Sequence, residues 1–148
     1  MVAGLGDMNL SLCLAAIGSA MGTGVAGMAA VGAWKKAFAQ NKAAPFTLIA
    51  FVGAPLTQTI YGMILRDQII NAKLPADTQT YGYLMVIGVI AGLAMGLSAY
   101  MQGKAAARAC DALAETGKGF GQYIMVLGVI ETVALFVMAF CMMALPKA

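Results

Sequence analysis

The sequence predicts an all-α membrane protein of four transmembrane helices, built as two fused, repeated helical hairpins that assemble into a homo-oligomeric ring. Composition is the first reason. Of 148 residues, 61% are hydrophobic and 10% charged, with no His and six carboxylates, and mean hydropathy is +0.85, which places the chain in lipid. The second reason is a set of four stretches almost free of charge: Met8 to Trp34, Ala43 to Leu65, Thr78 to Gly103, and Phe120 to Leu145. At 1.5 Å per residue each is long enough for a hydrocarbon layer of about 30 Å. The third is internal repetition. A shift of 74 lays Ala20-Met21-Gly22 on Ala94-Met95-Gly96 and Gly18 on Gly92, and a shift of 73 lays Gln58-Thr59 on Glu131-Thr132. Residues 1–74 form the first predicted hairpin and residues 75–148 the second, which carries Glu131.

The first stretch has no Lys or Arg ahead of it and no evident small-residue cleavage site, so it reads as a retained span. Gly18, Gly22, Ala26 and Ala30 recur along it every four positions, and Gly88, Gly92 and Gly96 do the same in helix three. Such faces let backbones approach closely, and the expectation is that they pack against helices of neighbouring copies. Helix two opens near Pro45, a residue suited to a first turn. It carries bulkier side chains, among them Phe46, Phe51 and Ile60. At Pro55 one helical hydrogen bond, to the Phe51 carbonyl, must be lost, and the turn beside Ala54 should be irregular. Helix three should run past Gly103 through Lys104 and Arg108, because Ala105, Ala106, Ala107 and Ala109 favour helix. Thr116-Gly117 then turns the chain into helix four, where Leu127, Leu135, Phe136 and Phe140 again supply bulk. Small inner and large outer helices make a wedge, and wedges related by rotation close into a ring.

Lys35, Lys36 and Lys42 follow helix one, and Lys104, Arg108 and Lys118 lie between helices three and four. Both loops are therefore expected at the cytoplasmic face of the cell membrane, with both termini on the other side. Arg66 and Lys73 lie in the intervening loop beside Asp67 and Asp77. Cys13, Cys110 and Cys141 are odd in number, two of them inside apolar spans, and imply no disulfide framework.

Glu131 is the single charged residue between Phe120 and Leu145. A charge at mid-bilayer costs from about 3 to 10 kcal/mol or more, so it marks a functional site, the structural alternative being a Glu that holds two helices together. With the turn centred on Thr116, Gln102 and Glu131 come level across an antiparallel pair, and the repeat puts Gln58 at the same depth. The counterpart of Gln102 in the first hairpin is Met28, so one half alone has a full polar set. That set is Thr57, Gln58, Gln102, Glu131 and Thr132, with Tyr61 one turn from Gln58. A proton carrier requires the carboxylate alone, whereas a hard alkali cation needs its hydration shell replaced by several oxygens. These residues supply them, and an irregular carbonyl near Ala54 is a candidate for one more. The other reading of the amides and hydroxyls is mutual hydrogen bonding across helices. No Gly-rich phosphate loop with Lys and Ser/Thr is present, so nucleotide hydrolysis falls to partners, and the basic residues flank spans as topology signals do, not as a nucleic-acid surface.

The stretch Pro55-Leu56-Thr57-Gln58-Thr59-Ile60-Tyr61-Gly62, then Gln102-Gly103-Lys104, then Glu131-Thr132 on the last helix resembles the K subunit of bacterial V-type sodium ATPases, the rotor-ring proteolipid. The resemblance extends over nearly the whole chain. It implies that Glu131, Gln102, Gln58, Thr57 and the backbone carbonyl of Ala54 bind Na+, and that Tyr61 donates a hydrogen bond to Glu131. It also implies a non-catalytic subunit that carries the ion by rotation coupled to ATP hydrolysis elsewhere. Its partners would be further copies, a membrane stator supplying an arginine, and cytoplasmic central-stalk subunits. The alternatives are a proton-carrying ring of the same kind, a small four-helix cation or drug antiporter, and a purely structural proteolipid.

Overall fold

A computed structural model describes residues 6–72 and 78–145. Among them the chain is entirely helical: α1 spans Leu10–Ala39, α2 Leu48–Asn71, α3 Thr78–Thr116 and α4 Phe120–Ala144. All four are long and apolar enough to cross a membrane. The predicted hairpin division between residues 74 and 75, with Lys73 and Asp77, lies outside the described residues.

Each helix begins and ends for a local reason. Asp7 is fully buried, and its carboxylate accepts from the backbone N–H groups of Asn9 at 3.1 Å and Ser11 at 2.9 Å, capping α1. Beyond α1, Asn41 takes a left-handed φ of 53°. The Lys42 N–H returns to the Ala37 carbonyl at 2.9 Å. Pro45 precedes α2 by one turn and is not inside its first turn as expected. Its carbonyl accepts from Trp34 Nε1 at 2.8 Å, tying the connection back to α1. The irregularity anticipated at Pro55 is a 3-10 turn over Ala54–Leu56 inside α2. Helix α3 does run unbroken through Lys104 and Arg108 to Thr116. There the chain reverses on Gly117 at φ 65° and Gly119 at φ 91°, a conformation that disfavours side chains.

Packing centres on α1 against α3, which run parallel. A Cβ built on Gly18 would fall on the backbone of Gly96, and one on Gly22 would meet Ala99 and Pro55. Gly88 lies against Asp7, and Gly92 against Leu10 and Leu14. The glycine stripes of both helices are thus used within one chain. This corrects the expectation that Gly18, Gly22, Gly88, Gly92 and Gly96 face neighbouring copies. The physical reason is that both stripes need a partner without side-chain bulk, and each is that partner for the other. What α1 and α3 turn outward is larger: Met21, Met28, Ile90 and Leu97 are all exposed.

Helix α2 packs on α1 and α3, and α4 packs on α3 and α2. Two buried apolar clusters result. One gathers Ala26, Phe51, Ala106, Cys110 and Leu127, while the other gathers Ala15, Leu65, Met95 and Ala134. Gln58, Gln102 and Glu131 each fall between members of the two clusters on their own helix. The polar layer is therefore sealed from both ends.

Because the Gly18 contact is backbone on backbone, the methyl of Gly18→Ala has nowhere to go. It should destabilise the purified protein by about 1–3 kcal/mol. Gly128→Ala, whose methyl meets no atom of the chain within 4 Å, should leave stability unchanged or slightly higher. Unfolding in mixed micelles measures both.

Candidate functional site

The polar layer is a directional chain of hydrogen bonds that ends on Glu131. Thr57 Oγ1, in the first helical turn after the Pro55 interruption, lies 3.1 Å from the Ala54 carbonyl and 3.3 Å from Gln58 Oε1. Gln58 Nε2 donates to Gln102 Oε1 at 2.8 Å. Gln102 Nε2 donates onward to Glu131 Oε2 at 3.2 Å and to the Leu127 carbonyl at 3.0 Å. From the other side, the Tyr61 hydroxyl donates to Glu131 Oε1 at 2.7 Å. Both carboxylate oxygens are accepted into this network, and both amides are fully buried.

The local sequence explains how three helices deliver these groups. On α2, Pro55, Gln58, Gly62, Leu65 and Ile69 form one buried face, whose spacing of three and four is that of a helix side. Tyr61 lies three residues beyond Gln58 and leans toward α4. On α4, Leu127 and Ala134 are the buried positions, and Glu131 sits between them by four and three residues. It is half-buried, at the edge where the inward face of α4 gives way to a surface of Val129, Val133 and Phe136. The carboxylate is thus held from within yet reachable from the outer side.

Among the described residues the ion pairs are Lys36–Glu115 at 2.8 Å and Arg66–Asp67 at 2.7 Å, and neither involves Glu131. Both are substantially exposed and contribute little to stability. Among the described residues the groups that meet the Glu131 carboxyl are neutral donors, Tyr61 and Gln102, which soften the cost of a polar group in an apolar layer.

Of the residues singled out by sequence, Thr57, Gln58, Tyr61, Gln102 and Glu131 come together, with the Ala54 carbonyl adjoining Thr57. Thr132 does not. Its hydroxyl is exposed and donates to the Val129 carbonyl on its own helix at 2.7 Å. The correction has a simple origin, since successive helical residues point about 100° apart and Glu131 takes the inward direction. Met28, the repeat counterpart of Gln102, is 71% exposed and contributes to no second site. Two contributors were missed. Ser98 donates to the Ile130 carbonyl at 3.0 Å, and Leu127 offers its carbonyl to Gln102. Ser98 precedes Gln102 by one helical turn, so the spacing contained that signal. A backbone carbonyl leaves none.

Residues 85–144 match the family model of the ATP synthase C subunit. The chain is also similar to the A-type ATP synthase subunit K of Methanocaldococcus jannaschii, with 33% identity over 136 residues, 92% of this chain. It spans 58% of the length of that protein. The matched segment contains both Gln102 and Glu131.

Gln102 has three partners, so Gln102→Leu should cost about 1–3 kcal/mol by leaving buried groups unpaired. Thr132→Val should stay within about 0.5 kcal/mol, as a substitution away from the buried network. Thermal unfolding of the two purified variants beside wild type makes the comparison.

Proposed function

We propose that this chain is a non-catalytic rotor-ring subunit of an ion-translocating rotary ATPase or ATP synthase, and that it carries Na+ on Glu131. The observation that carries the reading is a carboxylate sealed between two apolar clusters, held by Tyr61 and Gln102, with no fixed cation among the described residues to neutralise it. The match of residues 85–144 to the ATP synthase C subunit supports the rotor role. So does the similarity to a subunit K. An antiporter of the small four-helix kind has neither support.

A transported cation would supply the missing charge. Sodium suits the donor set: the Glu131 carboxylate, the amide oxygens of Gln102 and Gln58, the Thr57 hydroxyl and the Ala54 carbonyl are all hard oxygens. Tyr61 would hold the carboxylate while its charge is shared with the ion. Loaded, the site is neutral and can face lipid as the ring turns. Empty and ionised, it is expensive there and must meet water or a positive side chain. That requirement implies a stator subunit bearing an arginine, with cytoplasmic stalk subunits that couple rotation to nucleotide chemistry. Arg66 is engaged with Asn9 and Asp67, and Arg108 is exposed two turns from Gln102, so neither takes that part.

In this reading the chain is two fused hairpins, residues 1–74 and 75–148, with its basic loops at the cytoplasmic face and its termini opposite. One carboxylate per four helices gives fewer ions per turn than one per hairpin, which suits transport against a steep gradient. The proton-carrying version of the ring draws on a different feature: Gln102 and Tyr61 between them donate to both oxygens of Glu131.

A hydrophobic carbodiimide should modify Glu131 in the purified assembly, and sodium should slow the reaction in a concentration-dependent way. Modification followed by mass spectrometry across pH is the measurement. A labelling rate indifferent to sodium at every pH overturns the sodium reading in favour of the proton. Labelling that leaves ATP-coupled transport intact overturns the rotor role.

A further inference from the structure

The side-chain oxygen of Ser19 is buried and has no hydrogen-bond partner, the one such atom among the described residues. Ser19 is 2% exposed. Buried hydroxyls normally find a partner, so an unpaired one calls for an explanation. Its neighbours in the α1–α2 contact say what it faces. Gly62 meets Ser11 and Ala15, and the Ser11 hydroxyl donates to the Gly62 carbonyl at 3.4 Å. Gly22 meets the Pro55 side chain, and Ala26 shares a cluster with Phe51. The two helices run antiparallel, with Ala15 level with Gly62 and Gly22 level with Pro55. Ser19 lies between Ala15 and Gly22 on the same face of α1, and Gln58 lies between Pro55 and Gly62 on the buried face of α2. Register places Ser19 opposite Gln58.

Gln58 has a reason to need it. Its Nε2 carries two N–H groups, and Gln102 Oε1 accepts one of them. A cation that draws on both amide oxygens takes one of the two lone pairs of Gln102 Oε1 and repels the N–H that the other accepts. That repulsion favours a Gln58 amide with its nitrogen turned away, and a fully buried N–H without an acceptor is costly. Resting on the sodium reading above, we propose that Ser19 is the acceptor for Gln58 in the loaded site. Gln58 Nε2 bonds Gln102 when the cation is absent and Ser19 Oγ when it is present. Ser19 is a positioning residue: it touches no ion, and it makes the oxygen-inward orientation of Gln58 affordable on a helix that otherwise lends the site only small residues. A buried hydroxyl without a partner at this position is what the exchange requires.

The test is sodium protection of Glu131 against carbodiimide in the assembled protein, with wild type, Ser19→Ala, Gln58→Ala and the double variant titrated with sodium chloride. Ser19→Ala removes one oxygen from a rung of small residues and adds no bulk. It should raise the sodium concentration for half-protection about tenfold, the size of one lost buried hydrogen bond, while the labelling rate without sodium stays at the wild-type value. In the Gln58→Ala background the same change should have no further effect, which a merely structural role for Ser19 would not produce. Wild-type protection with an unchanged midpoint in Ser19→Ala overturns the inference and leaves the sodium reading standing, as does a full additive shift in the double variant. Absence of protection in wild type overturns both together.

Discussion

A half-buried carboxylate with two neutral donors and, among the described residues, no ion-pair partner is the constraint around which the rest of this chain is arranged. Tyr61 and Gln102 bring donors to the two oxygens of Glu131, and Gln102 is in turn held by Gln58. Low dielectric strengthens each of these bonds and raises the cost of any left unmade. The network is therefore committed: three helices must meet at one depth, between the two apolar clusters.

Close approach of α1 and α3 makes this possible. With Gly18 on Gly96 and Gly22 beside Ala99, the two helices leave no bulk between them. Helices α2 and α4 can then both reach Gln102 on α3. A side chain at Gly18 would force the pair apart at the Gly96 backbone. The 3-10 turn at Ala54–Leu56 contributes in another way, by setting Thr57 and the Ala54 carbonyl at the start of the polar chain.

Much of this was legible in the sequence. Charge-free stretches gave four helices because the bilayer admits few alternatives. The separation of Gln102 and Glu131 about the turn at Thr116-Gly117 brought them level because antiparallel helices share one rise per residue. Side-chain direction was harder to read. Thr132 is adjacent to Glu131 in sequence and points away from it, a difference of one helical step that composition does not encode. The glycine stripes were recognised as a close-packing device but assigned to the wrong partner, since spacing reveals a flat face and says nothing about what lies against it. Ser19 carried no signal at all, because an unpaired hydroxyl is a property of neighbours that only the folded chain supplies.

The central claim is that Glu131 and its donors hold one alkali cation per chain. Equilibrium binding of radioactive sodium to the purified assembly, for wild type and Glu131→Gln, addresses it most directly. The account predicts one sodium per chain in wild type, and loss of that binding when the carboxylate becomes an amide in an otherwise intact assembly. Sodium bound equally by Glu131→Gln, or by neither protein, would contradict it.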